Sequence, residues 1–406
     1  MKNKNLKEYK LCDLYKMDSG LNSTKEQAGH GSDFLSFKDI YNNTILPDEL
    51  TEKMNTTKEE QNKYSIKKGD IFLTRTSEVI DELAMSSVAL KDYPNSTFSG
   101  FAKRLRPTQT NITYDKFMAF FLRSKYFRKI INNKAFMTLR ASFNDNIFRD
   151  IKILIPDYET QVKIGNLFCN IEYKIRLNNQ INNNLEDMMK MLYQRWFLEF
   201  EFPNKGGKPY KSSGGQMIWN EEIKREIPET WSIKKLLDIA KVYQPITIAT
   251  TELEDSGKYF VYGSNGIIGK YNEYNHEENE IAVSCRGNCG QVHMTLPYSW
   301  ITGNAMVIHP NEKFNYKEYM YYALEPKYLS NLTTGSVQKQ ITRTNLENYK
   351  VIIPNTKLVN KFNDIGIEVR KEIIKNRKEN IELTELREYL LPMLMNGQIN
   401  VDDMEI

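Results

Sequence analysis

Apolar and polar positions change their period twice along this chain, in the same way each time. "DIKILIP" (150–156) and "NYKVIIP" (348–354) are short apolar, strand-like runs closed by a proline. Beyond each proline the apolar residues keep helical spacing, alternating three and four apart in the first stretch on either side of its asparagines and falling on the matching positions in the second. They are Ile164, Phe168, Ile171, Ile175, Leu185, Met189, Leu192 and Trp196 in the first stretch, and Phe362, Val369, Ile373, Leu383, Leu390 and Leu394 in the second. That is the spacing of a coiled-coil seam. It predicts that each half ends in one long helix, about 60 Å at 1.5 Å per residue.

The recurrence extends upstream. Pro156 falls on Pro354 at an offset of 198, "TYDKFMAFFLRSKYF" lies over "NYKEYMYYALEPKYL", and "GFAKRLRP" lies over "GNAMVIHP". The chain is therefore read as a tandem duplication, and 406 residues suit two domains. "GDIFLTRT" (69–76) and "NEIAVSCRG" (279–287) predict buried strands, so each half is mixed α/β. Residues 114–131, "YDKFMAFFLRSKYFRKII", predict one amphipathic helix with Phe117, Phe120, Phe121, Phe127 and Ile131 inward and a basic flank of Arg123, Lys125 and Arg128. Residues 201–231, rich in Gly, Pro, Ser and Lys, read as a connector.

Both seams are interrupted by asparagine, at Asn178 and Asn182 and again at Asn376 and Asn380. A buried asparagine weakens a seam but penalises slipped or parallel pairings, so it sets register. Antiparallel helices would bring the two asparagine pairs together at their centres. The alternative is that each helix packs on its own domain and the asparagines face water.

Composition excludes some classes of protein. Hydrophobic residues at 40% and charged ones at 27% are those of a globular chain. No signal-like segment or run of about 18 apolar residues occurs, so a cytoplasmic location without membrane contact is expected. Four scattered cysteines suggest reduced thiols rather than a disulfide framework. The net charge of +4 is uneven: between Gly100 and Arg140 ten Lys or Arg stand against one acid, Asp115, which predicts an electropositive patch.

The reactive motifs sought are missing from the sequence. There is no glycine-rich cofactor turn with a Pro-Pro-aromatic loop, no phosphate loop and no paired-carboxylate-plus-lysine run. His276, Cys285, Cys289 and His293 are spaced H-x8-C-x3-C-x3-H, unlike the usual zinc patterns, so no metal is expected. These omissions favour binding over catalysis. Two similar domains on opposed helices suit duplex DNA with two recognition points about 34 Å apart. Candidate DNA-binding residues are Arg75, Lys103, Arg104, Arg140, Ser142 and Asn144 in the first half, with Arg286, Asn288, Gln338, Lys339, Gln340 and Arg343 as their counterparts in the second.

The chain resembles the specificity subunits of type I restriction-modification systems. The resemblance rests on "ILIPDYETQVKIGNLFCNIEYKIRLNNQINNNLEDMMKMLYQRWF", on "TTGSVQKQITRTNLENYKVIIP", on "YGSNGIIGKY", on "IPETW" and on the closing "LLPMLMNGQI". It implies an α/β (α+β) pseudo-twofold tandem repeat, with two globular target recognition domains joined by two long antiparallel helices forming a coiled coil. The domains would be 1–157 and 229–355, the conserved helical regions 158–200 and 356–396, the connector 201–228 and the tail 397–406. It further implies a non-catalytic reader of a bipartite double-stranded DNA target that carries no cofactor. Two methyltransferase subunits would use S-adenosylmethionine to methylate adenine, and two restriction/translocase subunits would use ATP and Mg²⁺. One departure is that "PNTKLVNKF" lacks the "ETQ" that follows Pro156. Trp196 and Phe197, in "YQRWFLEFEF", are read as a partner-binding surface, or else as an internal cap on the helices. Competing readings are a tandem adaptor that binds only proteins, and a divergent DNA methyltransferase or nuclease.

Overall fold

The computed structural model describes residues 6–134, 141–324, 329–335, 339–395, 397–399 and 401. The chain forms two compact units, Met1–Leu177 with Glu379–Ile406, and Asn178–Lys378.

In the first unit Tyr15–Ser19, Ala102–Pro107, Ile71–Thr74 and Ser86–Val88 form an antiparallel sheet in that order. Glu52–Met54, Ala28–Leu35 and Thr97–Phe98 form a second sheet, whose last pair is parallel. Lys7–Lys10 pairs antiparallel with Lys152–Ile155. The second unit repeats this plan with Ala240–Tyr243, Ala305–Pro310, Ile281–Ser284 and Val292–Met294 as its four-stranded sheet. Its three-stranded sheet is Gly266–Tyr271, Tyr259–Gly263 and Trp300–Ile301. Ser232–Lys235 pairs with Lys350–Ile353. The duplication thus holds strand for strand in these sheets.

The central strands are buried on both faces, which explains their unbroken apolar runs. Ile71 and Leu73 enter the main core while Phe72, pointing the other way, joins Leu35, Ile40 and Phe98. Ile281 and Val283 diverge from Ala282 in the same manner.

The long helices are Tyr158–Tyr193, 36 residues, and Thr356–Met395, 40 residues, about 54 and 60 Å at 1.5 Å per residue. Gln161 anchors the first. It is fully buried, its Oε1 accepts from the Tyr114 N–H at 3.0 Å, and its Nε2 donates to the carbonyls of Ile112 and Pro156 at 2.9 and 2.8 Å. In the second helix, which lacks the "ETQ" motif, the buried Val359 stands at the matching offset and Asn355 Oδ1 caps the start by accepting from the Leu358 N–H at 2.9 Å. Gly397, at φ 64°, ends that helix in the left-handed conformation that suits glycine.

Each unit contains a stretch of both helices, running antiparallel. In the first unit Arg387 donates to Glu172 at 2.7 Å and Lys174 pairs with Glu379 at 3.2 Å, so the numbers rise on one helix as they fall on the other. Leu390, Leu394 and Met395 share that unit's core with Ile164, Phe168 and Ile171. In the second unit Asn376 Nδ2 donates to Asn182 Oδ1 at 2.9 Å in a buried setting, and Arg370 reaches Glu186 at 2.7 Å. Asn178, Asn182 and Asn376 are buried, and Asn380 is half-buried.

Arg370 is only 5% exposed at its side chain. Its guanidinium donates to both Glu318 oxygens, with Nε at 3.1 and 3.3 Å and Nη2 at 3.0 Å, while Nη1 bonds Glu186. Glu186 also accepts from the Tyr322 hydroxyl at 2.8 Å. Burial alone would weaken the arginine's hold on its proton, but the two carboxylates outweigh it and raise the group above its ordinary value. Gly366 permits this close approach, because a Cβ there would lie 2.7 Å from the Glu318 Cβ.

Two sequence expectations fail here. Residues 114–131 form two helices, Asp115–Phe121 and Lys125–Lys134. Ser124 breaks them: its hydroxyl donates to the Phe121 carbonyl at 2.6 Å and accepts from the Phe127 N–H at 3.3 Å. Trp196 and Phe197 are not an exposed partner surface, being 8% and 0% exposed. A π-helical turn, Gln194–Leu198, carries both. They pack with Tyr193, Tyr319 and Phe362, and Phe197 also meets Trp231.

Replacing Arg370 with alanine leaves Glu318 buried without its counter-charge. The expected loss is about 3–5 kcal/mol of unfolding free energy, read from urea denaturation. A loss below about 1 kcal/mol would show that the network contributes little.

Candidate nucleic-acid interface

Backbone hydrogen bonds gather the predicted residues of each half around one junction. In the first unit the Arg75 N–H donates to the Phe101 carbonyl and the Phe143 N–H donates to the Arg75 carbonyl, both at 2.8 Å. Three segments, 75–77, 100–103 and 141–144, therefore converge. In the second unit the Cys285 N–H donates to Asn304 and the Ile341 N–H to Cys285, both at 3.0 Å. Ser142 stands opposite Thr76, and Gln340 opposite Arg286. The structural equivalents are Arg75 with Cys285, Thr76 with Arg286, Phe101 with Asn304 and Ser142 with Gln340. Arg286 is thus one residue out of step with Arg75, and the expected pairing of those two arginines is corrected.

A fourth segment crosses each junction over a glycine. A Cβ on Gly100 would lie 2.9 Å from the Leu21 carbonyl oxygen, and one on Gly303 3.0 Å from that of Pro245. The second unit adds a hairpin tip: Ser284 donates its hydroxyl to the Ser264 carbonyl, and Ser264 donates its own to Asn304 at 3.3 Å. Cys289 Sγ donates to the Lys339 carbonyl at 3.2 Å and holds that segment against the 286–289 loop.

Arg75 is exposed, while Lys103 and Ser142 are half-buried, with Lys103 Nζ 3.0 Å from the Ser19 hydroxyl. Arg286, Asn288, Lys339 and Gln340 are all exposed in the second unit. These seven are brought to the junctions. Arg140 and Gln338 lie outside the described residues.

Three further candidates are engaged within the fold. Arg104 is 4% exposed; it donates to Asp18 at 2.8 Å and to the Ser65 carbonyl at 2.6 Å, so it is withdrawn from the DNA-binding set. Asn144 caps the helix Asp145–Asp150, its Oδ1 accepting from the N–H groups of Asn146 and Ile147, and that oxygen is no longer free to read a base. Thr342 caps the equivalent helix of the second unit. Arg343 is exposed but paired with Glu347 at 2.7 Å, one helical turn away.

The expected basic patch divides by residue type. Arg106 forms a two-pronged pair with Asp70, at 2.7 and 2.6 Å. Arg123 donates to the carbonyls of Ser86, Ile40, Tyr41 and Asn43, and burial pulls its guanidinium down to about 10. Arg128 reaches the Asp81 carbonyl at 2.9 Å. Lys125, Lys129 and Lys134 remain exposed. The rigid five-donor fork of arginine suits such carbonyl clamps, whereas lysine is a flexible, hydrated point charge. Sequence alone does not separate these uses.

Among the described residues no group of three His, Cys, Asp or Glu is placed to hold a metal ion, and no helix is long and apolar enough to cross a membrane.

A family model described as "Type I restriction modification DNA specificity domain" matches residues 3–187 and 228–383. The type I restriction enzyme MjaIX specificity subunit of Methanocaldococcus jannaschii is 24% identical over 361 residues, covering 83% of this chain and 79% of its own. The HindI specificity subunit of Haemophilus influenzae is also 24% identical, over 445 residues, covering 90% and 94%. The crystal structure of the type I restriction-modification S subunit from M. genitalium superimposes with a TM-score of 0.61 at 16% identity, covering 97% of both chains, and so shares the fold.

Arg104 and Arg75 should separate in stability measurements. Arg104→Ala is expected to lower unfolding free energy by about 1–3 kcal/mol, and Arg75→Ala to stay within about 0.5 kcal/mol of the parent. Burial alone would raise the Asp18 carboxyl, but the Arg104 hydrogen bond and charge, with Lys16, hold it below its ordinary value of 3.8. A depressed folded value stabilises the protein above about pH 4 and is lost as pH falls through it. Acid titration of Arg104→Ala should lack that component, and an unchanged acid profile would contradict the assignment.

Proposed function

The chain belongs to the type I restriction-modification DNA specificity family, and from that premise we propose that each compact unit reads one half of a bipartite duplex target. It is a DNA-specificity subunit. The observation that carries the proposal is a junction built twice by the same backbone bonds but furnished with different side chains: Arg75 against Cys285, Thr76 against Arg286, Ser142 against Gln340. A shared frame with diverged side chains suits two dissimilar half-sites better than one repeated ligand.

Arg, Gln and Asn are the side chains that match base edges in two-pronged fashion. Arg75, Arg286, Asn288 and Gln340 are exposed for that purpose, while Lys103 and Lys339 are assigned to phosphates. The chain itself is non-catalytic and carries no cofactor. Two methyltransferase subunits supply adenine methylation from S-adenosylmethionine, and two restriction/translocase subunits supply ATP- and Mg²⁺-dependent cleavage. The protein acts in the cytoplasm. The absence from the sequence of a cofactor turn and a phosphate loop supports this division of labour.

Methylome sequencing of the host with and without this gene is the direct test, and one bipartite adenine-methylated motif should vanish with the gene. With the assembled methyltransferase, duplex affinity should fall steeply as salt rises, whereas a protein-only adaptor would be salt-insensitive and leave the methylome unchanged. Arg286→Ala should weaken specific binding by about 1–3 kcal/mol and relax one half of the motif only. Methyl transfer by the isolated chain would overturn the non-catalytic assignment.

A further inference from the structure

We propose that Phe101 in the first unit and Ile246 in the second are base-contacting residues, each placing an apolar side chain against an apolar base surface in its half-site. The inference rests on the DNA-reading function above. Of the large apolar residues described, these two are the most exposed, Ile246 at 77% and Phe101 at 67%. Single exposed apolar residues are common and mean little by themselves. Here both extremes fall at the equivalent junctions, on neighbouring segments rather than matching positions: the counterpart of Phe101 is Asn304, and Ile246 follows Pro245, whose counterpart is Leu21. Phe101 follows Gly100 at the junction, and Ile246 lies in the segment that crosses the equivalent Gly303.

Neither residue sits on a loose loop. The Phe101 N–H donates to the Ser99 hydroxyl at 3.2 Å, and its carbonyl accepts from Arg75. Ile246 is held on both sides: Gln244 Nε2 donates to the Gly303 carbonyl, and the Ile248 N–H donates to the Thr302 hydroxyl at 3.3 Å. A fixed backbone with an unburied apolar tip is already arranged for contact, so little further ordering is needed on binding.

The surroundings favour a base over the sugar-phosphate backbone. Phe101 walls an open cleft of about 480 Å³ in which Glu78 and Glu82 also stand. Those carboxylates repel phosphate, yet a carboxylate can accept from the amino group of cytosine. Arg75, whose N–H is bonded to the Phe101 carbonyl, and Lys103, two residues further along the chain, supply the cations that draw the duplex in. In the second unit Arg286 neighbours Cys285, whose N–H is bonded to Asn304 beside Gly303. An apolar side chain meets DNA bases either as a wedge between steps or against a thymine methyl.

The test uses the full chain in its methyltransferase complex, as wild type, Phe101→Ser and Ile246→Ser, with methylome sequencing and duplex binding. Each variant should melt with the wild type and lose selectivity by about tenfold or more at positions in one half of the motif, a different half for each. A 2-aminopurine probe beside the affected position separates the two contacts: it brightens for a wedge, while deoxyuridine in place of thymidine reproduces the loss for a methyl contact. Variants that fold, bind and modify the wild-type motif unchanged would overturn the inference while leaving the DNA-reading function intact. A wild-type complex that modifies no bipartite motif would overturn both.

Discussion

Burial of the Arg370 guanidinium between Glu186 and Glu318 places the tightest constraint on the second unit. A charge removed from water is tolerated only where every donor finds a partner in good geometry. Three elements must therefore arrive together: the first long helix with Glu186, the second with Arg370, and the short helix Lys317–Ala323 with Glu318 and Tyr322. Sliding either long helix by one turn would strand a carboxylate in the core. The Asn182–Asn376 bond, six residues further along the second helix, restricts the same freedom by a neutral route.

The two junctions are stabilised differently. Their geometry comes from main-chain bonds, from the Arg75 and Cys285 positions to the neighbouring strands, and from glycines where two backbones approach. The exposed side chains there contribute little to holding the frame. Arg104, Arg106 and Arg123 do the opposite: they point inward and hold loops together through carbonyl and carboxylate acceptors. Positive charge near the first junction thus serves two ends, and burial distinguishes them.

Much of this was readable from residue order. The duplication, the strands before each proline and the two long helices follow from periodicity, their antiparallel pairing was implied by the family resemblance, and "GFAKRLRP" over "GNAMVIHP" aligns the two corner glycines correctly. Side-chain destinations were harder. Arg104 and Lys103 are neighbours on one strand, yet one is buried against Asp18 and the other reaches the edge at Ser19, a difference of facing that depends on which strand lies alongside. Ser124 looks unremarkable inside an amphipathic pattern until its hydroxyl is seen to replace the helix bonds on both sides. The aromatic run ending the first helix suggests an exposed surface only because Tyr319, Phe362 and Trp231 lie far away in sequence.

Leu390, Leu394, Met395 and Val401 complete a core whose other members lie between Leu11 and Ile171. A ribosome makes residues 11–171 before residues 390–401, so the first unit's core lacks its last members until the stretch between them has been made. Completion of that core is thereby tied to synthesis of the whole second unit, Asn178–Lys378, which separates its two parts along the chain.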